Sequence, residues 1–150
     1  MNRKIRIGNH IIGEDAPVFI VAEMSANHNM DFDRAVAIMQ AAKDAGADAI
    51  KIQTYTDDTI TLDSDAPCFQ ITQGTLWDGT TLYELYKTAY TPWEWQPKLK
   101  EIAQGMGLEF FSSPFDFSSV DFLEEMDVPA YKVAAFEITD IPLIKKIAGK

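Results

Sequence analysis

The sequence predicts an α/β fold in which short parallel strands alternate with helices. Four apolar runs are separated by segments whose apolar residues recur at helical spacing. The first run, residues 18–22, is continuous rather than alternating, which is typical of a strand buried on both faces of a parallel sheet. With 150 residues, 47% of them hydrophobic and 24% charged, the chain has the composition of one packed domain. This order of elements favours a doubly wound sheet or a (β/α) barrel.

The elements up to the first long helix follow from apolar spacing and from turn residues. Residues 4–13 alternate around a Gly-Asn turn signal, which predicts a hairpin with His10 in its turn. The first buried strand is expected at residues 18–22. Asp31 then provides an N-cap for a helix that ends before Gly46.

Three further strands are expected, at residues 47–53, at residues 108–112 and from about Ala130. The helix between the first two of these has a complete start signal, with Thr91 as N-cap, proline at the next position and Glu94 in a capping box. We therefore expect this helix to begin directly after Thr91.

The last two helices complete the pattern. One is predicted at residues 117–126, and the other follows Asp140, which can act as its N-cap. The inner side of this last helix is expected to carry four apolar residues at helical spacing: Ile141, Ile144, Ile147 and Ala148.

Residues 55–90 form an unusually long connection after the second strand. Such a connection inside a compact domain is uncommon unless it is functional. Residues 81–89 carry apolar residues at helical spacing, so we expect a loop with a short helix. This segment is either a lid over a site or a simple insertion.

Charge and composition argue against several classes of protein. Thirteen Lys and Arg against 23 Asp and Glu give a net charge of −10 without a basic patch, which argues against a nucleic-acid partner. No apolar run approaches about 18 residues and no signal-peptide pattern opens the chain, so we expect a cytoplasmic protein with no membrane partner. The single cysteine, Cys68, excludes an intrachain disulfide and is expected to be a small packed residue.

Polar side chains stand at the end of each predicted strand, where parallel α/β folds place their active sites. Lys51 and Lys132 lie inside otherwise apolar strands, and a buried ammonium group needs an anionic partner. Together with the Ser113 hydroxyl, they could bind a phosphate or a carboxylate. Glu23 and Glu137 are candidates for acid–base or hydroxyl-binding groups. The alternative is that Lys51 pairs with Glu23, and Lys132 with Glu137, as structural ion pairs.

Other polar and aromatic residues lie close to these strand ends. Gln53 is two residues after Lys51 and so shares its face of the strand. Phe115 follows the turn after the third strand and is a candidate for a sugar or lid contact. His28 has no second histidine at ligand spacing, so the sequence gives little support for a metal role.

Several ordered motifs resemble the sialic acid synthase family of phosphoenolpyruvate-condensing enzymes, and the resemblance covers essentially the whole chain. The motifs are residues 21–28, 47–54, 111–116 and 128–133. Three further segments resemble the pseudaminic acid synthase branch of that family: residues 82–86, 91–95 and 136–144.

The resemblance implies a TIM (β/α)8 barrel, of which residues 1–150 would be the N-terminal half, with a hairpin and about four β-α units. The rest of the barrel and an antifreeze-like C-terminal domain are expected beyond residue 150, because a full barrel needs roughly 250 residues. A homodimer and a divalent metal, Mn²⁺ or Mg²⁺, are also implied. The metal ligands are expected beyond residue 150 and none within this chain, so the chain alone is expected to be inactive as a synthase.

The implied reaction joins phosphoenolpyruvate to an open-chain diacetamido trideoxy sugar aldehyde of the altrose type and releases phosphate. Carbon 3 of the enol attacks the aldehyde, whose carbonyl the metal polarises. Water captures the cation at carbon 2 before phosphate leaves, which gives a nine-carbon 2-keto sugar acid, pseudaminic acid.

By position, the resemblance assigns roles to eight residues. The catalytic residues would be Glu23, Lys51 and Lys132. The phosphoenolpyruvate-binding residues would be Lys51, Ser113 and Lys132. The sugar-binding residues would be Asn27, Gln53, Phe115 and Glu137.

One position departs from the family pattern. Ala135 stands where the family usually has a serine whose hydroxyl reaches phosphoenolpyruvate, and the lost hydrogen bond would cost about 1.5–3 kcal/mol of affinity. Alternatives within the family are an N-acetylneuraminate, legionaminate or spore-coat polysaccharide synthase. The alternative from another class is a non-catalytic half-barrel that binds anions or sugars.

Overall fold

An antiparallel hairpin opens the part of the chain that the computed structural model describes, residues 4–150. Strand β1 (Ile5–Ile7) pairs with strand β2 (His10–Ile12), as predicted. His10 begins β2 opposite Ile7, so the expectation that it lies in the turn is wrong. Gly8 has a φ of 55°, a left-handed backbone conformation that favours glycine, and a Cβ there would meet the Glu109 carboxylate, which would have to move.

Three parallel strands form the central sheet, in the order β3 (Val21–Glu23), β4 (Ala49–Thr54) and β5 (Glu109–Pro114). Strand β3 is shorter than the strand predicted at residues 18–22 and is not buried on both faces, because Val21 and Ala22 are half-buried and Glu23 is exposed. Val18 and Ile20, which precede it, are exposed as well. The Asp48 carboxylate accepts from the Ile20 amide at 2.8 Å, which ties this stretch to the start of β4.

Within residues 4–150, six helices follow or connect these strands, and three of them begin at aspartate N-caps. The helices are α1 (Phe32–Asp44), α2 (Asp57–Ile60), α3 (Leu82–Ala89), α4 (Gln96–Gly105), α5 (Phe117–Glu125) and α6 (Ile141–Ala148), with 3-10 turns at Pro67–Phe69, Trp93–Trp95 and Phe136–Thr139. The side chains of Asp31, Asp116 and Asp140 accept hydrogen bonds from amides of the first turns of α1, α5 and α6. The predicted caps Asp31 and Asp140 are therefore confirmed.

The main core lies between the sheet and helices α1 and α4. Met39 of α1 and Leu99 of α4 pack in one fully buried cluster with Ile50, Ile52 and Phe110 of β4 and β5. Both helices therefore cover the same face of the sheet. Consecutive parallel strands with their crossover helices on one face are the arrangement expected for part of a (β/α) barrel.

The predicted start of the helix after residue 90 is wrong. The chain forms a 3-10 turn at Trp93–Trp95, and α4 begins only at Gln96, without a side-chain cap. The Thr91 hydroxyl does not cap the helix, because it lies 3.1 Å from Nε2 of His28 instead.

The fourth predicted strand is reduced to a single bridge in the described chain. Tyr131 pairs with Ser112, and the Lys132 amide donates to the Ser112 carbonyl at 3.0 Å. Pro129 has no amide hydrogen to extend this ladder toward the N-terminus, and the chain turns into the 3-10 segment at Phe136 soon afterwards.

Two smaller expectations are also corrected. The buried side of α6 centres on Leu143, whereas Ile141 and Ala148 are exposed, so the inner stripe differs from the predicted one. Cys68 is exposed rather than packed, because it lies in a 3-10 turn of the 55–90 connection.

The short helix predicted at residues 81–89 is confirmed as α3. Among the described residues, no helix combines the length and the apolar character needed to cross a bilayer.

Candidate active site

The register of the sheet places the predicted polar residues on the face opposite to helices α1 and α4. Glu23 pairs with Lys51, and Gln53 pairs with Ser113. Residues that pair across parallel strands point to the same side, and side chains two apart on one strand share a face. These four side chains therefore form two adjacent rows at the carboxyl end of the sheet.

Lys51 is held in this face as a nearly buried cation, with 5% of the residue exposed. Its Nζ lies 3.4 Å from Oε1 of Glu23, which is its one ion-pair partner in the described chain. The Glu23 side chain is 62% exposed. The structural ion pair considered for these residues is therefore present, but its carboxylate is in water while its ammonium is not.

Lys132 differs from Lys51, because its side chain is exposed rather than buried in an apolar strand. The pairing of Tyr131 with Ser112 puts Lys132 on the same side as Ser113 by strand alternation. No ion pair between Lys132 and Glu137 forms among residues 4–150, so that alternative is wrong for the described chain.

A cavity of about 470 Å³ opens next to these rows, between the sheet and the 55–90 connection. It contains three of the predicted sugar-binding residues, Gln53, Phe115 and Glu137, and also Ala135. The remaining lining residues are Tyr55, Ile60, Thr61, Leu82, Tyr86, Ala134 and Phe136. The structure therefore brings together the residues predicted for sugar contact, except Asn27.

Asn27 and Gln53 are already engaged by neighbouring groups. Nδ2 of Asn27 donates to the Met24 carbonyl at 2.9 Å, which holds the turn after β3. Ser25 donates its hydroxyl to Oε1 of Gln53 at 3.2 Å, which leaves the Gln53 amide group as a donor.

Glu137 supplies an unusual acceptor in the cavity. Its Oε2 is buried and has no hydrogen-bond partner among residues 4–150. Burial raises the pKa of the nearby Tyr86 hydroxyl, and the negative charge of Glu137 raises it further. A buried carboxylate oxygen without a donor is costly, so this atom is a natural position for a ligand hydroxyl or amide group.

Aromatic rings form part of the cavity wall. The Tyr55 ring lies edge-on to Tyr86 and to Phe115, with centroid separations of 5.6 and 5.4 Å. Burial, and next the charge of Tyr86, raise the pKa of Tyr55 well above its ordinary value. Tyr55 therefore stays neutral, and its ring forms part of the cavity wall.

A separate polar cluster lies on the opposite face of the same strands and is fully buried. Thr54 donates to Oε1 of Gln96 at 2.8 Å and lies 2.7 Å from the Ser112 hydroxyl. Nε2 of Gln96 donates to the Thr91 carbonyl at 3.0 Å, and the Thr91 hydroxyl contacts His28. We call these five residues the buried network.

His28 closes the buried network with both ring nitrogens occupied. Nδ1 accepts from the Met30 amide at 3.1 Å, so in the neutral ring Nε2 carries the hydrogen and donates to Thr91. Burial lowers the pKa of His28 below its ordinary value. A metal role for this ring would require breaking one of these bonds.

The described residues do not fit a metal site. Across residues 4–150, no group of three or more His, Cys, Asp or Glu side chains is placed to hold a metal ion. The divalent metal implied by the sequence resemblance therefore stays a prediction about residues beyond 150.

A protein-family model, described as the NeuB family, matches residues 38–150. The chain belongs to the NeuB family. It is 50% identical to the pseudaminic acid synthase of Campylobacter jejuni over 96% of this chain and 41% of that protein. It is also 50% identical to the pseudaminic acid synthase of Helicobacter pylori, over 88% of this chain and 38% of that protein. The chain thus spans about two fifths of these relatives.

Solved structures support the same family. The N-acetylneuraminic acid (sialic acid) synthetase of Leptospira borgpetersenii superimposes with a TM-score of 0.83 at 31% identity, over 99% of this chain and 47% of that chain. The predicted TIM-barrel fold is confirmed, and the described strands and helices are part of such a barrel. The doubly wound alternative is excluded.

The structure also contains functional and structural polar residues outside the predicted set, in the buried network and in the cavity. The sequence does not single out Thr54 and Gln96 of the buried network or Tyr55 and Tyr86 of the cavity, and it shows Ser112 only as a polar residue at a strand end. Thr54 and Ser112 directly neighbour Gln53 and Ser113, so strand alternation gave a signal that polar groups occupy both faces. Their partners lie at least 42 residues away and had no such signal.

Proposed function

We propose that this chain belongs to a pseudaminic acid synthase, which condenses phosphoenolpyruvate with a diacetamido trideoxy sugar of the altrose type and releases phosphate. The observation that carries the proposal is the 50% identity to pseudaminic acid synthases along nearly the whole chain. The identity to the solved N-acetylneuraminic acid synthetase is lower, at 31%. The cavity beside the cationic strand end supports an anion and a sugar as neighbouring ligands.

In this proposal, the phosphoenolpyruvate anion lies at the end of β4 and β5. Lys51 and Lys132 supply positive charge, and the buried Ser113 hydroxyl donates a hydrogen bond. Because Lys51 is buried, its charge is weakly screened by water and stabilises an anion strongly. The same groups stabilise the charge that develops on phosphate as it leaves.

The sugar occupies the cavity that Gln53, Phe115 and Glu137 line. The free Gln53 amide and the unpartnered Glu137 oxygen orient it by hydrogen bonds, and Phe115 packs against a sugar face. Asn27 is proposed as a more distant contact from the turn after β3. In this proposal, Glu23, which is exposed beside Lys51, orients the water that attacks carbon 2.

Other parts of the proposal concern features outside residues 4–150. A divalent metal, Mn²⁺ or Mg²⁺, would polarise the sugar aldehyde, with ligands beyond residue 150. The rest of the barrel, an antifreeze-like domain and a homodimer belong to the same proposal, as does a cytoplasmic location.

The test is a phosphate-release assay on the full-length protein that contains these residues. With phosphoenolpyruvate and Mn²⁺ or Mg²⁺, we expect release that depends on the diacetamido trideoxy altrose. Release with N-acetylmannosamine alone would move the protein to the neuraminate branch, and release with the legionaminate precursor alone to that branch. No release with any of these sugars would contradict the proposal.

The competing interpretation is a non-catalytic binding module. Isothermal titration of the 150-residue chain with phosphoenolpyruvate separates the two. A module should bind it fully without metal and without sequence beyond residue 150. The synthase proposal instead expects full affinity only in the full-length protein.

A further inference from the structure

One side of the sugar cavity is built by the 55–90 connection rather than by strands. Ile60 at the end of α2, and Leu82 and Tyr86 on α3, line the cavity. The two helices contact each other, and the Tyr83 hydroxyl donates to Oδ1 of Asp58 at 2.7 Å. The connection therefore presents these three side chains as one supported surface, which we call the helical wall.

The helical wall is mainly apolar. Ile60 and Leu82 offer only aliphatic groups to the cavity, and both are half-buried. Tyr86 is fixed by its edge-on contact with Tyr55, at a centroid separation of 5.6 Å. A sugar hydroxyl placed against this surface would lose hydrogen bonds to water without replacement. A methyl group there would gain favourable contacts.

One polar group of the cavity, the Glu137 carboxylate, needs a hydrogen-bond donor from a ligand. Oε2 of Glu137 is buried without a partner among residues 4–150, and a carboxylate oxygen only accepts hydrogen bonds. An acetamido group carries an N–H donor and a methyl group on one planar unit. It can therefore satisfy a buried acceptor and an apolar wall within the same cavity. A deoxy carbon adds a second methyl group for the wall.

We propose that Ile60, Leu82 and Tyr86 of the helical wall determine acceptor specificity, favouring a sugar with acetamido and deoxy methyl groups over one with hydroxyls at those positions. This inference rests on the proposed function. In this inference, the 55–90 connection selects the sugar, and the strand ends bind phosphoenolpyruvate. The connection is then neither a simple insertion nor only a cover.

The decisive test compares Ile60→Thr with Ile60→Val in the full-length protein. The two new side chains have nearly the same shape and differ by one hydroxyl in place of a methyl group. With saturating phosphoenolpyruvate, we measure kcat/KM for the diacetamido trideoxy altrose and for N-acetylmannosamine. We expect the ratio of the two values to fall about tenfold in Ile60→Thr relative to Ile60→Val, mainly through KM for the diacetamido sugar.

A second pair of variants places the effect on the wall rather than on the helix. Leu82→Asn changes the wall, whereas Leu85→Asn changes the same helix α3 at a half-buried residue that does not line the cavity. We expect only Leu82→Asn to change the sugar ratio, by about tenfold or more. KM for phosphoenolpyruvate should stay unchanged in both variants.

The ratio of two sugars on one preparation does not depend on the fraction of folded enzyme, so poor folding cannot imitate the effect. Wild-type sugar selectivity in both Ile60→Thr and Leu82→Asn would overturn the inference while leaving the proposed function intact. An equal change in Leu85→Asn would overturn it as well. Absence of phosphate release by the unmodified protein with any sugar would overturn the proposed function, and this inference with it.

Discussion

The two faces of strands β4 and β5 carry polar side chains that differ in how far their hydrogen bonds are satisfied. On the helix-covered face, Thr54 and Ser112 belong to the buried network, where each hydroxyl has a nearby protein partner. On the other face, Lys51 has one exposed ion-pair partner, and Ser113 lies beside a cavity-lining glutamine. Adjacent residues of one strand thus belong to two different environments.

This difference indicates which polar residues support the fold and which are available to a ligand. A buried network with all its groups paired stabilises one packing arrangement, and removing a member leaves its partners unsatisfied. A polar surface with unpaired donors and acceptors gives little stability but can bind a substrate. Substitutions on the two faces should therefore separate activity from stability.

The largest effect is expected for Lys51→Met on the strand-end face. It removes the buried cation proposed to bind phosphoenolpyruvate, so kcat/KM for phosphoenolpyruvate in the full-length protein should fall by about 10²–10³-fold. The free energy of unfolding should change by less than about 1 kcal/mol, because the abandoned Glu23 carboxylate is exposed to water. Steady-state kinetics and urea unfolding measure the two quantities.

Lys51→Arg serves as the matched control for charge. It should recover part of the lost activity, since it keeps the positive charge but changes the geometry of the donor. A loss of several kcal/mol of stability in Lys51→Met, with near-normal activity, would instead make Lys51 a structural residue and reverse the comparison of the two faces.

The next effect is expected for Gln96→Leu in the buried network. This change removes one of the two partners of the Thr54 hydroxyl, which keeps Ser112, and the side-chain donor to the Thr91 carbonyl, and both groups are buried. The free energy of unfolding should fall by about 2–4 kcal/mol, with KM for phosphoenolpyruvate unchanged. Urea unfolding of Gln104→Leu provides the control, because Gln104 lies exposed on the same helix and its substitution should change stability by less than about 0.5 kcal/mol.

Local signals in the sequence predicted much of the fold and part of the site. The cap at Asp31 and the spacing of α1 lie within a few residues of each other, so α1 was predicted closely. The sugar-cavity residues Gln53, Phe115 and Glu137 were also placed together, because parallel strand ends meet at one edge of a sheet.

Features that depend on distant partners could not be predicted in this way. Thr91 and Glu94 have a local cap pattern, but His28, 63 residues away, engages the Thr91 hydroxyl. Exposure of Lys132 was missed because an apolar neighbourhood in sequence does not show whether other elements cover the strand. The apolar wall on α2 and α3 was missed because those helices meet the cavity only after the chain folds back.

A smaller effect is expected when a donor is added at the cavity, beside the strand-end face. Ala135→Ser restores the hydroxyl that the family resemblance implies for phosphoenolpyruvate, at an exposed position of the cavity. Because water competes at an exposed site, we expect KM for phosphoenolpyruvate to fall about tenfold, the low end of a hydrogen bond to a charged group. Ala134→Ser, at the neighbouring lining residue, is the control. An equal fall in KM for both variants would mean that the position has no specific role.

The smallest effect is a pH dependence of stability that belongs to the buried network. Burial lowers the pKa of His28 in the folded chain below 6.5, while the unfolded chain keeps the ordinary value. Below about pH 6.5 the unfolded state binds a proton that the folded state does not, so stability present above that pH is lost as the pH falls. The slope cannot exceed about 1.4 kcal/mol per pH unit for one proton.

Urea unfolding between about pH 7.5 and about pH 5 measures this slope of stability against pH. The range brackets the ordinary histidine pKa of roughly 6.5. His28→Asn should flatten it, because the amide side chain does not titrate. His10→Gln is the matched control, since it removes the other of the two histidines. The slope of stability against pH should persist in this variant. An unchanged slope in His28→Asn would contradict the assignment of the acid sensitivity to the buried network. The pH dependence would then have a source other than the packing beneath the site.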